Sequence, residues 1–207
     1  MNALLRRPAW IAIALFALAL LLANVGLPGY SHLVHPVSLR GTAGLPWAFA
    51  YNLLAFVLPG AALAWAGVRL RSAWADAGWL ARIGIVLVQL SALAFAAQGV
   101  VPLDPEDTDA TASRLHALAW MLWWIAFVPG VLLLALGARR GAGFALACLA
   151  AALLVPLLAV FAPIGLWVGI AQRLAFLLWF GWWLLAAAAF ANHVSASARG
   201  SSPTARM

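Results

Sequence analysis

The stretch VVPLDPEDTDATASRLHALAW, Val100–Trp120, separates two long apolar runs and holds four of the five acidic residues of the chain. A second polar stretch, HLVHPVSLRG at His32–Gly41, also lies between two apolar runs. An apolar run of about 20 residues is typical of a helix that crosses the roughly 30 Å hydrocarbon core of a bilayer. Both polar stretches are therefore predicted to be loops between membrane-spanning helices.

The composition of the whole chain supports this interpretation. Of its 207 residues, 67% are hydrophobic and 8% are charged, and the mean hydropathy is +1.03. Soluble domains are about half apolar and about one quarter charged. A soluble fold is excluded because it could not bury this much apolar surface. Nucleic-acid binding is also excluded as the reason for the net charge of +7, because the arginines stand at the ends of apolar runs.

The fold class predicted is all-α, a polytopic membrane protein with six transmembrane helices. Residues 1–191 form one domain, and the polar, small-residue-rich segment 192–207 is predicted to be a disordered cytoplasmic tail. The first apolar run ends in LLANVGLPG without the small-residue cleavage site of a signal peptide, which indicates an uncleaved helix. The predicted helices cover residues 9–25, 47–68, 82–101, 115–136, 142–161 and 171–191.

The charges divide unequally between the two sides of this arrangement. One side carries nine arginines and one aspartate, and the side with the two polar loops carries three arginines and four acidic residues. Because positively charged loops stay in the cytoplasm, both termini are predicted to be cytoplasmic and both polar loops periplasmic. The predicted location is the inner membrane of a bacterium, with membrane lipid as the partner and no nucleic acid.

A short pattern occurs twice in the chain. Pro59 and Gly60 precede Gly67 and Arg69 at the same offsets at which Pro129 and Gly130 precede Gly137 and Arg139. The repeat suggests a chain built from three in-out-in helical hairpins, of which the third has diverged. Chance similarity in a biased composition is the alternative.

Three residues of the periplasmic loops are candidate metal ligands. His35 lies in the first loop, Asp104 follows the third helix and His116 opens the fourth. Two histidines and one carboxylate are a ligand set that zinc or iron accepts. The set therefore predicts zinc or another divalent metal as a cofactor. A histidine in water or at the membrane surface is the alternative for each imidazole. Glu106, Asp107 and Asp109 are interpreted as a solvated acidic loop, and Asp104 stands apart from them because its position at the membrane surface could aim it inward.

Five further residues are predicted to support a polar pocket at this face. Polar side chains at membrane depth usually face protein or a cavity, so interhelical hydrogen bonding is the alternative for those within helices. A lipid phosphate is the ligand expected for the arginine of the set. The five residues are Ser38, Arg40, Asn52, Gln98 and Trp120.

The motifs in these regions resemble those of an uncharacterised bacterial membrane family, domain of unknown function 998. They are HPVSLRG at His35–Gly41, the Asn52 of AYNLLAFVLPG, QGVVPLD at Gln98–Asp104 and LHALAW at Leu115–Trp120. The resemblance spans roughly residues 10–190 and implies a similar six-helix spacing. The family usually has an acidic residue near the position of Arg40, so a role for that acid is not expected here.

The predicted function is an integral membrane protein of unknown activity whose periplasmic pocket binds a small ligand, a lipid headgroup or a metal. One alternative is a metal-dependent hydrolase that acts on lipid, in which His35, Asp104 and His116 hold a metal that activates water. A second alternative is a haem-binding protein, which requires His35 and His116 to face each other. The sequence does not decide whether the protein is an enzyme.

Overall fold

The computed structural model of the protein is all-helical in the residues that it describes. It describes the backbone of residues 2–25, 27–74, 77–138, 140–162 and 167–200, and the side chains of 6–25, 27–72, 74, 77–138, 140–162 and 167–189. The α-helices are α1 (Asn2–Leu22), α2 (Ala48–Asn52), α3 (Leu58–Ala73), α4 (Trp79–Val100), α5 (Thr111–Gly137), α6 (Ala142–Pro156) and α7 (Val168–Gly200).

Two π-helical turns extend the membrane-length helices. Leu53–Val57 joins α2 to α3, and Leu157–Phe161 continues α6. Each turn lies beside a proline, Pro59 in one case and Pro156 in the other. Proline removes one backbone donor and crowds the turn before it, so the wider turn Leu53–Val57 accommodates the disturbance from Pro59 without ending the helix.

Five helical segments are long and apolar enough to cross a membrane, which confirms a multi-pass helical protein. Most of their ends lie within a few residues of the ends predicted for the second to sixth helices. The predicted first helix corresponds to α1, which is not one of these five, so the sixth span stays a prediction. The five segments are Ala48–Ser72, Trp79–Val100, Thr111–Gly137, Ala142–Phe161 and Val168–Ala189.

The last helix is longer than predicted. α7 continues to Gly200, whereas the prediction ended it at residue 191 and made 192–207 a disordered tail. No proline or glycine occurs between residues 192 and 199, so the polar composition does not by itself end the helix. Residues 201–207 lie outside the described part of the chain.

The long helices pack side by side as a closed ring. α1 packs against α3, α3 against α4, α4 against α5, α5 against α6, α6 against α7, and α7 returns to α1. Aromatic side chains fill the centre. Phe95 of α4 contacts the rings of Phe16, Phe56, Trp123 and Phe176, which come from four other helical segments. The bundle therefore has a solid aromatic core.

Two indole groups in this core have polar partners on other helices. Trp179 donates a hydrogen bond of 3.2 Å to the hydroxyl of Ser91, and Trp182 donates one of 3.4 Å to the sulfur of Cys148. The buried Ser91 thus links α4 to α7, as expected of a polar residue at membrane depth.

Glycines bring α4 close to both of its neighbours. A Cβ added to Gly60 would lie 2.6 Å from the backbone nitrogen of Ala96 and 2.7 Å from the carbonyl oxygen of Ala92. A Cβ added to Gly130 would lie 2.8 Å from a Val88 methyl group. Small residues at helix interfaces permit such close contact of backbones.

Substituting one of these glycines tests the packing. Gly60→Ala should destabilise the protein by about 1–3 kcal/mol, because its methyl group meets backbone atoms that can yield only if the helices separate. Thermal unfolding in detergent, followed by tryptophan fluorescence, measures the effect.

Gly181→Ala is the matched control, since no atom lies within 4 Å of its Cβ position. In a helix, alanine is more stable than glycine by roughly 0.5–1 kcal/mol, so this variant should unfold at an equal or higher temperature. Equal loss of stability in both variants would contradict the close packing of α3 on α4.

Candidate functional site

The polar loops at residues 23–47 and 101–110 lie at the same end of the bundle, here called the loop face. The first loop consists of turns and one 3-10 helix, Val37–Gly41. Its backbone reverses direction at Gly29 and Gly44, which have φ values of 83° and 86°. Glycine accepts this left-handed conformation without the steric cost that a side chain brings.

Arg40 is almost completely buried beneath this loop, with 2% of its surface exposed. Its guanidinium donates hydrogen bonds to three backbone carbonyls, of Ala23 at 3.0 Å, Val25 at 3.0 Å and Pro46 at 2.6 Å. The first two carbonyls follow the end of α1, where a helix leaves carbonyl oxygens without partners. Arg40 therefore joins the end of α1 to the end of the loop.

The geometry does not support Arg40 as an exposed phosphate ligand. The one ion pair among the described residues joins Arg114 to Asp109 at 3.4 Å, so no described carboxylate neutralises Arg40. Backbone carbonyl dipoles stabilise its charge instead, assisted by the Tyr51 ring, whose centre lies 5.7 Å from the guanidinium carbon. The Arg40 guanidinium is a positioning group for the loop.

A second buried arginine holds the same loop from α7. Arg173 donates to the carbonyl of His35 at 2.9 Å, to that of Gly169 at 2.8 Å and to the hydroxyl of Tyr30 at 2.7 Å. Sequence reasoning counted Arg173 only as a charge on the periplasmic side. The available signal was an arginine placed inside an apolar run, since such residues are costly in a membrane and usually pair within the protein.

Other contacts with α7 hold the loop close to the bundle. The Gln172 side-chain oxygen accepts a hydrogen bond of 2.7 Å from the backbone N–H of Val37. A Cβ on Gly169 would lie 2.6 Å from the carbonyl oxygen of His32, so only glycine permits this approach. The first loop is thus fixed at its two ends by Arg40 and in its middle by α7.

Asn52 and Ser38 are buried within this support. The Asn52 amide donates a hydrogen bond of 2.8 Å to the carbonyl of Gly41, and the position of a Cβ on Gly41 is occupied by the Asn52 amide group. Ser38 lies on the 3-10 helix with 8% of its surface exposed. Both predicted pocket residues therefore pack inside the loop support.

His35 is half-buried and its ring orientation is fixed. Its Nδ1 accepts a hydrogen bond of 3.0 Å from the backbone N–H of Ser31, so the proton of the neutral ring resides on Nε2. Tyr30 packs 5.6 Å from the His35 ring and 5.3 Å from the His32 ring. Burial raises the pKa of the Tyr30 hydroxyl, and the positive charge of Arg173 opposes this rise. Burial is also the main reason that the pKa of His32 is lowered, and the charge of Arg173 lowers it further.

Asp104 organises the second loop through its own backbone. Its Oδ1 accepts hydrogen bonds from the N–H groups of Glu106 at 3.0 Å and Asp107 at 3.3 Å, which is an Asx turn. The buried hydroxyl of Ser113 accepts from the Asp104 N–H at 3.1 Å and donates to the Asp107 carbonyl at 2.8 Å. One Asp104 oxygen is thus committed to structure.

His116 is buried and turned toward the end of α4. Its Nδ1 lies 3.1 Å from the carbonyl oxygen of Gln98 and 2.9 Å from that of Val101. Because both partners accept only, Nδ1 carries the proton and donates to them. Trp120, one turn further along α5, stacks 5.0 Å from Trp123 in the aromatic core. His116 thus stabilises the junction of α4 and α5, and Trp120 belongs to the aromatic core.

A pocket of about 430 Å³ opens between the two loops. Both His35 and Asp104 line it, although they lie in different loops, and Glu106 and Thr42 line it with them. The Thr42 hydroxyl is buried and has no hydrogen-bond partner among the described residues. The structure therefore brings two of the three predicted ligands to one pocket, and His116 does not line it.

The three predicted metal ligands do not lie together in the structure, and metal binding by them stays a prediction. Within the described residues, which include His35, Asp104 and His116, no group of three histidine, cysteine or acidic side chains is placed to hold a metal ion. The physical reason is that His116 caps the carbonyls at the end of α4, where a helix needs donors. Shared location at one face did not imply a shared ligand.

Comparison with known proteins adds a family but no activity. The family described as "Protein of unknown function (DUF998)" matches residues 10–189. Neither the curated proteins nor the solved structures give a match. The matched range contains the whole loop face and every residue discussed at the pocket.

The arginine support can be tested by a conservative change. Arg40→Lys keeps the positive charge, but a single ammonium cannot reach the three carbonyls that the planar guanidinium binds. We expect a loss of about 2–3 kcal/mol of stability, measured by thermal or denaturant unfolding in detergent, because hydrogen bonds to a charged group contribute about 1.5–3 kcal/mol each.

Arg114→Lys is the control for the same chemical change at an exposed position, where the side chain is 68% accessible and forms a surface ion pair. That variant should stay within about 0.5 kcal/mol of the wild type. If Arg40→Lys were equally harmless, the carbonyl contacts would not stabilise the loop.

Proposed function

The chain belongs to DUF998, a family of unknown function, so we propose its function from the geometry of its loop face. It is an integral membrane protein that binds a small, positively charged ligand in the pocket between the two loops. The carrying observation is that Asp104 and Glu106 line this pocket opposite His35. Two carboxylates give the pocket a negative charge, which favours a cation.

The residues that line the pocket support this choice of ligand. No arginine is among them, and the two buried arginines of the loop face, Arg40 and Arg173, direct their hydrogen bonds into backbone carbonyls or the Tyr30 hydroxyl. The buried Thr42 hydroxyl offers a further polar contact in the wall. An alkylammonium group is the ligand chemistry that two carboxylates and one hydroxyl suit best.

An ammonium group can reach this pocket as a lipid headgroup or as a soluble amine. The walls contain Leu27, Pro28 and Leu39, so a ligand with a short apolar part also fits. A divalent metal suits the pocket less, because the described side chains offer no group of three ligands. The haem and metal-hydrolase alternatives both require His116, which contacts the end of α4 instead.

We further propose the complete topology of six spans with both termini in the cytoplasm of a bacterium and the pocket in the periplasm. α1 packs between α3 and α7 and closes the ring, which supports its membrane location. The excess of arginines on the side opposite the loops supports the orientation. The resemblance of the motifs to a bacterial membrane family supports the inner membrane as the location.

Ligand binding can be tested by titrating the purified protein with choline and with ethanolamine in a calorimeter. Asp104→Asn should weaken binding by up to about fivefold, because an exposed charge pair contributes at most about 1 kcal/mol. The asparagine oxygen can keep the Asx turn, so the variant removes charge without removing the acceptor of the loop hydrogen bonds.

Asp109→Asn is the control, since it removes the same charge from the same loop at a position that does not line the pocket. It should bind like the wild type. No binding of either amine to the wild type, or equal weakening in both variants, would refute the proposed ligand class.

The topology has its own test. In a Cys148→Ala background, Thr108→Cys should react with a membrane-impermeant maleimide added to intact spheroplasts, and Gly143→Cys should react only after the membrane is permeabilised. Both residues are exposed, one in the second loop and one at the opposite end of the bundle. The reverse pattern would show that the loop face is cytoplasmic.

A further inference from the structure

A second concave surface lies at the end of the bundle opposite the loop face, between the end of α3 and the start of α4. This surface, here called the arginine groove, has a volume of about 790 Å³. Polar groups from both helices stand at its rim, and apolar side chains form its floor toward the middle of the membrane. Residues that define it are Arg71, Ser72, Trp79, Arg82, Val68 and Val86.

The charge of the groove is positive and lacks a described counterion. Arg71 and Arg82 are both exposed, and neither forms an ion pair with an acidic residue of the described chain. The sequence around the groove, residues 69–82, contains three arginines and one acidic residue, Asp76, which lies outside the described part. The rim therefore stays positive even with that aspartate counted.

Arg71 has a partner that directs it across the groove. Its Nη1 is 3.5 Å from the side-chain oxygen of Gln89, a residue in the middle of α4. The Gln89 amide donates in turn to the carbonyl of Ala64 on α3 at 3.1 Å. This polar bridge between the two helices draws the guanidinium from the end of α3 toward the middle of α4 without neutralising its charge.

The floor and edge of the groove match the environment of a membrane surface. Trp79 is 68% exposed at the start of α4, where an amphipathic indole suits the boundary between headgroups and acyl chains. Val68, Ile83 and Val86 are exposed below it on helices of membrane length. An occupant must thus be anionic at one end and apolar at the other.

We propose that the arginine groove is a binding site for an anionic phospholipid. The phosphate of the headgroup lies between Arg71 and Arg82, and an acyl chain follows Val68 and Val86 along the bundle. Basic pockets between transmembrane helices on the cytoplasmic side bind anionic headgroups in this way. The site is separate from the loop-face pocket, so it does not depend on the ligand proposed there.

The experiment uses the full chain in detergent micelles and counts bound lipid by native mass spectrometry. The probes are dioleoyl phosphatidylglycerol and dioleoyl phosphatidylcholine, which have the same acyl chains and different headgroup charge. We expect the wild type to bind phosphatidylglycerol at least about tenfold more tightly. The double variant Arg71→Gln/Arg82→Gln should lose most of this preference.

Two further variants separate a built site from general surface charge and from unfolding. Arg7→Gln/Arg69→Gln removes two exposed arginines that do not line the groove, and its affinity should change less than twofold. Arg71→Lys/Arg82→Lys keeps both charges and should retain a phosphatidylglycerol preference of at least about fivefold. Thermal unfolding of each variant checks that it is folded.

Three results would overturn the proposal. Equal binding of the two lipids by the wild type would mean that the groove is an apolar contact with bulk lipid. Equal loss in the two glutamine variants would assign the preference to diffuse positive charge. A folded lysine variant without any preference would show that charge at these positions does not bind the headgroup.

Discussion

The hydrogen bonds from the buried Arg40 guanidinium to three backbone carbonyls are the interaction on which the loop face depends. Helix α1 ends at Leu22, and Arg40 binds the buried carbonyl of Ala23 and the part-buried carbonyl of Val25 that follow it. A buried acceptor without a donor costs about 1–3 kcal/mol. Because the one planar guanidinium donates to these two carbonyls and to the carbonyl of Pro46, it fixes both ends of the loop together. The charge of Arg40 is stabilised by dipoles, and no carboxylate is needed beside it.

Arg173 also donates hydrogen bonds from its guanidinium to the loop, in this case from α7, and the two arginines together restrict the movement of the loop. The middle of the loop cannot separate from α7 without breaking bonds to the His35 carbonyl and the Tyr30 hydroxyl. The pocket between the loops is therefore largely preformed, with its acidic wall provided by the Asx turn of Asp104 and its imidazole held by Ser31. A preformed pocket loses less conformational entropy when a ligand binds.

The fold could be predicted from the sequence much better than the site. Apolar runs and their flanking arginines predict helices because lipid requires every backbone bond to close within the segment. For a residue in a loop, the same pattern predicts only the end of the helix bundle at which it lies. It placed His35, Asp104 and His116 together, but the hydrogen-bond needs of the end of α4 turned His116 away from the other two. Gln89 was missed because its partners are a backbone carbonyl and a side chain on another helix, which leave no mark in sequence spacing. Arg173, in contrast, was recognisable as an arginine inside an apolar run.

The short repeat has a physical explanation in the packing of α4. Gly60 and Gly67 on α3 face Ala92 and Gln89 of α4, and Gly130 and Gly137 on α5 face Gly84 and Ala81 from its other side. A spacing of seven residues returns to nearly the same face of a helix, so each pair gives a line of close approach about two turns long. Both α3 and α5 lie antiparallel against α4, so both meet the same steric requirement. The glycine spacing of the repeat follows from that requirement, whether or not the hairpins share an origin. The same close contact brings α3 near enough to α4 for Gln89 to bridge them and support Arg71 at the groove.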